Sequence, residues 1–219
     1  MRAARSEIES LLRARKLDVT LTSSAPWAKP ADDLAATGVA TIDAALGGGL
    51  RRGQLSEIVG PRSSGRTLVL SRMLAAAAAR GEAVALVDTC DRFDPVSAHA
   101  SGLDLSALLW IRETGDASRA LKATNLVLQA GGFGLVAFDL ADVPARQVRQ
   151  FPHTTWLRIA RVIEGSQTIA VVVGAERIAR SPGGVTMALE GSQGTWSGTA
   201  DRARLLRGLR VDPRIVRAR

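Results

Sequence analysis

Short apolar runs alternate with helical segments through most of the chain. Apolar strands are predicted at residues 54–59, 83–87, 108–111, 135–138 and 169–173. Helices are predicted at residues 67–80 and 116–130. Continuous apolar strands separated by helices of about a dozen residues are typical of βα units, which build a mostly parallel sheet covered on both faces. The pattern therefore predicts an α/β fold.

The pattern changes after residue 184. Val185, Met187 and Leu189 alternate with polar residues, and turn-forming residues follow at positions 191–194. Residues 209–215 have a similar character. Alternation of this kind predicts antiparallel strands. We therefore expect the C-terminal segment to finish one edge of the sheet in antiparallel fashion.

An amphipathic helix is predicted near the N-terminus, over residues 6–16. Its apolar face consists of Ile8, Leu11 and Leu12. Because so short a helix is not stable alone, we expect these three residues to dock on the body of the chain or on a partner. Residues 17–36 are rich in proline, serine and aspartate, a composition that predicts a linker. The predicted organisation is an N-terminal helix and linker, residues 1–36, and a core domain, residues 37–219.

A second amphipathic helix is predicted after a break at Pro152. Its inner face is predicted to consist of Trp156, Leu157, Ala160 and Ile163. Trp110, in a predicted strand, and Trp156 are interpreted as core residues rather than as platforms for nucleic-acid bases. The role of Trp196 stays open at this stage.

Composition excludes several classes of protein. The chain is 46% hydrophobic and 23% charged, which is typical of a globular protein rather than a disordered one. Its single cysteine, Cys90, excludes an internal disulfide and a multi-thiolate zinc site. The two histidines lack ligand spacing, so no metal is expected. Neither a membrane-spanning run nor a secretory signal is recognisable, so we expect a cytoplasmic protein.

Positive charge is concentrated at both ends of the chain. The net charge is +8, of which residues 1–16 contribute +3 and residues 201–219 contribute +5. Charge gathered in this way suits an acidic partner, either DNA or an acidic protein. The alternative is that arginines of edge strands simply point into water. The C-terminal candidates for contact are Arg202, Arg204, Arg207, Arg210, Arg214, Arg217 and Arg219.

The sharpest motif lies between a predicted strand and a predicted helix. It consists of Gly60, Pro61, Arg62, Ser63, Ser64, Gly65, Arg66 and Thr67. The spacing is that of a phosphate loop, in which backbone N–H groups hold phosphates and the last hydroxyl holds Mg²⁺. Arg66 stands in the lysine position, and its planar guanidinium does not suit a cradle built for a compact ammonium. Two interpretations stay open: a loop that still binds nucleotide, or a turn kept for the fold.

The sequence around this motif resembles the RecA recombinase family. The resemblance rests on residues 37–50 (TGVATIDAALGGGL), 53–61 (GQLSEIVGP) and 87–95 (VDTCDRFDP), on the strand ending in Asp139, and on the closing residues 209–219. It covers roughly residues 37–219. The resemblance implies a RecA-like P-loop NTPase core, with a mostly parallel central sheet flanked by helices and an antiparallel C-terminal edge.

The resemblance also implies that the ATPase site is degenerate. Asp139 matches the Walker B aspartate and is intact. Cys90 stands where RecA has the glutamate that activates the attacking water, and Ala175 stands where RecA has the glutamine that senses the γ-phosphate. Together with Arg66, three parts of the hydrolytic site are altered, which should lower the rate by orders of magnitude. We therefore expect a pseudo-ATPase with no catalytic residue, no required cofactor and at most weak binding of ATP and Mg²⁺.

RecA binds single-stranded DNA through loops that follow its fourth and fifth core strands. The matching segments are shorter in this sequence, so a filament-forming DNA groove is not expected. Arg177 and Arg180, after the predicted fifth strand, are the candidates for contact with phosphates.

Residues 156–164 and 175–179, with the basic ends, resemble the ImuA family of RecA-like accessory proteins and its SulA-like relatives. This resemblance implies a role in SOS and DNA-damage-induced mutagenesis by translesion synthesis. The implied partners are ImuB (an inactive Y-family polymerase relative), RecA and an error-prone replicative-type polymerase subunit.

Two other functions stay open. One is an active DNA-dependent ATPase or recombinase of the RecA type, in which Arg66 substitutes for the lysine. The other is a SulA-like cell-division inhibitor that binds the tubulin-like division protein. The nearly complete phosphate loop argues against the second of these.

Overall fold

The computed structural model describes residues 34–179, 184–198 and 201–217. The predicted N-terminal helix, with Ile8, Leu11 and Leu12, lies outside them, as do Arg180, Arg219 and the side chain of Arg217. The division at residue 36 stays a prediction. The elements in chain order are β1 (Leu34–Ala35), α1 (Ala40–Leu46), β2 (Leu50–Arg51), β3 (Leu55–Val59), α2 (Arg66–Ala79), β4 (Ala83–Asp88), α3 (Pro95–Ala100), β5 (Leu108–Arg112), α4 (Ala117–Ala130), β6 (Phe133–Asp139), α5 (Ala145–Val148), α6 (His153–Ile163), β7 (Ile169–Gly174), β8 (Val185–Ser197) and β9 (Leu205–Arg217).

The main sheet has the strand order β5-β4-β6-β7-β3-β8-β9. Every neighbouring pair from β5 to β8 is parallel, and β9 runs antiparallel to β8. β1 and β2 form a separate antiparallel pair. Because parallel strands need crossover connections, the helices lie between them in the chain. The predicted parallel sheet with an antiparallel C-terminal edge is confirmed, and the carboxyl ends of β3, β4, β6 and β7 meet at one edge.

Apolar side chains fill a layer on each face of the sheet. Along β6, Leu135 and Ala137 belong to the layer that includes α2, whereas Val136 and Phe138 belong to the layer that includes α4 and α6. Successive side chains of a strand point to opposite faces, so a strand buried on both sides must be apolar throughout. This is why the parallel strands appear in the sequence as continuous apolar runs. None of the described helices combines the length and hydropathy needed to span a bilayer.

Two local predictions were wrong in part, although Trp156, Ala160 and Ile163 do pack against the sheet as predicted. On α6 the buried residues are Trp156, Ile159 and Ile163, while Leu157 is 39% exposed. Positions 156, 159 and 163 follow the 3.6-residue period, and Leu157 lies on a different face. The turn predicted at residues 191–194 is instead part of β8. The pairing with β9 continues through it, with a register shift between Leu189 and Ser192 that accommodates the irregularity.

Candidate functional site

The phosphate-loop segment, residues 60–67, joins the end of β3 to the start of α2. Gly65 is the N-cap of α2 and has a φ of 96°. A Cβ atom at this position would lie 2.9 Å from Cγ2 of Val211 in β9, so both the backbone conformation and the packing of β9 require glycine. The strand–loop–helix context of the motif is thus present, and β9 lies against it. Gly60, Ser64 and Arg66 are buried, Gly65 is half-buried, and Pro61, Arg62, Ser63 and Thr67 are exposed.

Arg66, in the lysine position of the motif, is directed into the protein. The residue is only 8% exposed. Its Nη1 atom donates to the carbonyl oxygen of Gly174 at 3.0 Å, and the carbonyl oxygen of Ala141 lies 3.5 Å away. Gly174 ends β7 and Ala141 follows β6, so the guanidinium connects the first turn of α2 to two strand ends. The positive charge at this position is therefore hydrogen-bonded to main-chain carbonyls of the same chain.

Asp139, the Walker B position, ends β6 at the same edge of the sheet. Its Oδ1 atom accepts a hydrogen bond from the N–H of Ala141 at 2.8 Å. Burial raises the pKa of the Asp139 carboxyl from 3.8 to about 6, and the nearby carboxylates of Asp88 and Asp142 also raise it. The hydrogen bond from Ala141 and the positive charge of Arg66 lower the pKa, but they do not cancel the effect of burial. A carboxyl with a pKa of about 6 is mostly ionised at pH 7 and gains its proton only in mildly acidic solution.

Asp139→Asn is expected to remove part of the pH dependence of stability. A carboxyl whose pKa is higher in the folded than in the unfolded state binds its proton more tightly when folded, so stability falls as the pH rises from about 4 to about 6. Because Asp139 as a whole residue is half-buried, we expect the variant to gain about 1–2 kcal/mol relative to the wild type between pH 4.5 and pH 7. Urea unfolding at both pH values measures this, with Glu164→Gln, which removes an exposed carboxylate after α6, as the charge-removal control. An equal pH dependence in Asp139→Asn and wild type would contradict the raised pKa.

The other two positions matched to catalytic groups carry no carboxylate or amide. Cys90 is half-buried in the turn after β4. Burial raises the pKa of its thiol above 9.0, and Asp142, Asp139 and Asp88 raise it further. A protonated thiol cannot act as a general base at neutral pH. Ala175 directly follows β7 and is exposed.

Asp88, which the sequence showed only as the end of a strand, organises the turn around Cys90. Its carboxylate is 1% exposed and accepts hydrogen bonds from the N–H groups of Arg92 at 3.0 Å and Phe93 at 2.8 Å. The indole N–H of Trp110 donates to the same carboxylate at 3.3 Å. Trp110 is half-buried and packs edge-to-face on Phe93. Asp88 therefore fixes the turn in which Cys90 stands.

Glu57 is a buried carboxylate whose importance the sequence analysis missed. It lies in β3, directly before the phosphate-loop segment, and is 2% exposed. Oε1 accepts from the N–H groups of Ile178 at 2.7 Å and Ala179 at 2.6 Å, and Oε2 accepts from the hydroxyl of Thr186 at 3.0 Å. A single glutamate thus holds the segment after β7 and the start of β8 against β3. The signal was available, since a charged residue inside an otherwise apolar strand needs partners.

The segment that carries Arg177 lies beside a cavity of about 280 Å³ whose lining includes Arg149, Phe151, Trp156 and Arg177. Arg177 is exposed. Arg149 makes a two-point ion pair with Glu176, at 3.0 Å and 3.1 Å. The charge of this surface is thus partly neutralised within the chain.

The C-terminal arginines lie on β9 and on the turn before it. The side chains of Arg202, Arg204, Arg207, Arg210 and Arg214 are all exposed. Arg210 and Arg214 lie near carboxylates of Asp212 and Glu190, at 3.5 Å and 3.3 Å. The structure therefore places these arginine side chains in solvent, although β9 itself packs against Gly65 of the phosphate-loop segment through Leu209 and Val211.

Two buried hydroxyls of the described residues have no hydrogen-bond partner, Ser64 Oγ and Thr89 Oγ1. Ser64 lies in the loop at the N-terminus of α2, where an anion would be favoured. The guanidinium of Arg66 is bonded elsewhere, however, and no carboxylate replaces the missing glutamate at Cys90. The loop thus keeps one hydroxyl without a partner at a helix N-terminus, while its positive charge is hydrogen-bonded to main-chain carbonyls.

A strand, a glycine-capped loop and a helix at the carboxyl edge of a parallel sheet define a protein of the P-loop class. A family model for the RecA N-terminal domain matches residues 23–149. The chain therefore belongs to the RecA family.

Individual relatives agree with this assignment. The chain is 38% identical to Protein RecA of Symbiobacterium thermophilum over 115 residues, which are 51% of this chain and 33% of that protein. It is 39% identical to Protein RecA of Chlorobium limicola over 104 residues, 47% of this chain and 29% of that protein. The match thus spans about a third of these curated relatives. The crystal structure of the RadB recombinase shares the fold, with 18% identity and a TM-score of 0.51 over 69% of this chain and 82% of that one.

Proposed function

We propose that this chain is a non-catalytic RecA-family accessory protein of the ImuA type. It acts in DNA-damage-induced mutagenesis by binding other proteins rather than by hydrolysing ATP. The observation that carries the non-catalytic part is the hydrogen bond from buried Arg66 to the carbonyl oxygen of Gly174. The mutagenesis part is supported by the sequence resemblance of residues 156–164 and 175–179.

Phosphoryl transfer depends on charged groups held in position around the phosphate. Replacing several of these groups at one site therefore lowers the rate of ATP hydrolysis more than replacing one of them. To reach a phosphate, Arg66 would have to leave the carbonyl oxygen of Gly174, and a buried carbonyl would lose its donor. No general base stands at Cys90, whose thiol has a raised pKa. The combined loss is expected to reduce turnover by several orders of magnitude.

The proposed partners are ImuB, RecA and an error-prone replicative-type polymerase subunit. The resemblance to the ImuA family supports all three. The basic ends of the chain add a general attraction to acidic surfaces.

Complementation in cells tests the proposal. A strain lacking the chain is expected to lose damage-induced mutagenesis, measured as mutation frequency after ultraviolet irradiation. The wild-type chain should restore it. Cys90→Ser and Asp139→Asn should restore it equally, because neither change touches a working ATPase site in this proposal. Loss of complementation by both variants, with normal folding by circular dichroism, would show that the site is needed.

A strand-exchange assay distinguishes RecA from the other partners. If the chain acts on RecA filaments, a stoichiometric amount should reduce RecA strand exchange. Unchanged exchange would exclude that mechanism, and association with ImuB would then be tested by co-purification from cells with damaged DNA.

One observation favours a second candidate, an active DNA-dependent ATPase. The loop keeps its glycine cap at Gly65 and the unpartnered hydroxyl of Ser64, both suited to a phosphate. In that case Arg66 would have to turn outward when nucleotide binds.

A further inference from the structure

The cavity of about 280 Å³ beside Arg177, called the side pocket below, lies between two segments of the chain. One wall is formed by residues 176–178, which follow β7, and the other by the turn from α5 into α6. The lining residues Val148 and Trp156 are buried, and Phe151 and Ile178 are half-buried. The charged and polar lining residues are all exposed: Arg149, His153, Glu176 and Arg177. The side pocket therefore has an apolar interior and a polar rim.

Two buried charged side chains hold the wall that follows β7. Arg66 donates to the carbonyl oxygen of Gly174 at 3.0 Å. Glu57 accepts from the N–H groups of Ile178 and Ala179 at 2.7 Å and 2.6 Å. A Cβ atom on Gly174 would lie 2.7 Å from Cδ1 of Ile178, so this side chain packs back on the strand end. The two charged residues flank the phosphate-loop segment, and together they bind the backbone at both ends of residues 174–179.

The opposite wall is also held by contacts within the chain. The N–H group of Phe151 donates to the carbonyl oxygen of Val148 at 3.2 Å. The ring of Phe151 packs edge-to-face on Trp156, with 6.0 Å between the ring centroids. The ion pair between Arg149 and Glu176 joins this wall to the first one. The side pocket is therefore formed before anything binds, and a preorganised site loses less entropy on binding.

We propose that the side pocket is a protein-docking site, which takes one large apolar side chain from a peptide segment of a partner and contacts an acidic residue beside it. The volume is below the range of about 300–1,000 Å³ that is typical of pockets for cofactors and drug-sized ligands. An apolar pocket enclosed by a polar rim is the arrangement in which a few anchor side chains carry most of the energy of a protein interface. Aromatic residues and arginine are enriched at such interfaces.

The charge of the rim favours an acidic peptide over a nucleic acid. Glu176 neutralises Arg149, so two arginines and one glutamate leave a single net positive charge. Within the part of the chain that the structure describes, no carboxylate forms an ion pair with Arg177. One guanidinium is enough to bind one carboxylate. A nucleic acid would need several phosphate contacts for its affinity, and its backbone would be repelled by the exposed carboxylate of Glu176.

This inference gives the proposed accessory protein a surface for its partner and a chemistry for the segment that binds there. It rests on the proposed function only in assigning the partner to the response to DNA damage. The geometry of the side pocket does not depend on that assignment. It also gives Arg66 a positioning role, because the residue in the lysine position of the motif supports a wall of the docking site.

Selection from a phage-displayed library of random peptides on the full chain tests the proposal. The selected peptides should share a large apolar residue next to an acidic one. Fluorescence anisotropy with a labelled synthetic copy of a selected peptide then measures affinity. His153→Trp, whose indole would fill the mouth of the side pocket, should abolish binding. The matched variant His153→Ala should change affinity less than about threefold, because contacts around an anchor are nearly neutral.

A charge reversal tests the contact with the acidic residue. Arg177→Glu should weaken peptide binding at least about tenfold, because it places two carboxylates together. The matched control is Arg158→Glu, which makes the same charge change at an exposed position of α6 outside the lining. It should have a much smaller effect. All the substituted side chains are exposed, so thermal unfolding should be close to that of the wild type.

Several results would overturn the proposal. Selected peptides that bind His153→Trp as tightly as the wild type would do so, as would selected peptides without acidic residues. An equal effect of Arg177→Glu and Arg158→Glu would reduce the binding to a general charge effect. No selected peptide, together with oligo(dT) binding that Arg177→Glu reduces, would assign the surface to nucleic acid instead.

The proposed function and the side pocket can fail separately. If the peptides bind as expected but a strain lacking the chain keeps its damage-induced mutagenesis, the proposed function is contradicted and the docking site stands. If His153→Trp abolishes peptide binding and still restores mutagenesis fully, the docking role is overturned and the proposed function stands.

Discussion

Arg66→Ala is expected to lower the free energy of unfolding by about 2–3 kcal/mol while ATP turnover stays at background. The substitution removes a buried charged donor and leaves the carbonyl oxygen of Gly174 without its hydrogen bond. A lysine of an active site would behave in the opposite way, since its loss would abolish turnover with little effect on folding. Urea unfolding and a coupled ATPase assay, each with and without single-stranded DNA, separate the two cases.

The matched control for this experiment is Arg62→Ala in the same loop. Arg62 is exposed and forms a surface ion pair with Asp142 at 3.1 Å, so we expect a change of less than about 1 kcal/mol. An enzyme of known ATPase activity serves as the positive control for hydrolysis. Sustained ATP turnover by the wild-type chain that Arg66→Ala abolishes, with stability unchanged, would contradict the non-catalytic proposal and favour the active ATPase.

Glu57→Ala is expected to destabilise the fold by about 3–5 kcal/mol. The N–H groups of Ile178 and Ala179 and the hydroxyl of Thr186 would lose their acceptor in a dry environment, and each buried unsatisfied group costs about 1–3 kcal/mol. Glu57→Gln keeps one acceptor oxygen and should lose less. Urea unfolding of the full chain measures both variants.

The control for Glu57 is Glu176→Ala. Glu176 forms an ion pair with Arg149, but its side chain is 50% exposed, so we expect a loss below about 1 kcal/mol. A loss of that size in Glu57→Ala would show that the segment after β7 is held to β3 by other contacts.

The strands and the layer order followed from the sequence because burial on both faces allows only apolar residues. The runs around Ile58, Leu86, Val136 and Val171 could be recognised for that reason. The buried residues of α6 could be predicted only in part from the sequence. Leu157 and Ile159 are both strongly apolar, and only the packing of the helix against the sheet decides that Ile159 is the buried one. The turn residues at 191–194 indicated a break, but residues 192–194 pair with β9, and Gly191 lies in the register shift before them.

By itself, the sequence determined the class of fold, the position of the phosphate-loop segment and the altered residues Arg66, Cys90 and Ala175, because spacing and residue type are local properties. Tertiary structure alone decided where the guanidinium of Arg66 points and which backbone groups Glu57 holds. Each of these depends on groups far apart in the chain. Hydrogen-bond partners of buried polar groups are fixed only when strands and helices have packed and water has left.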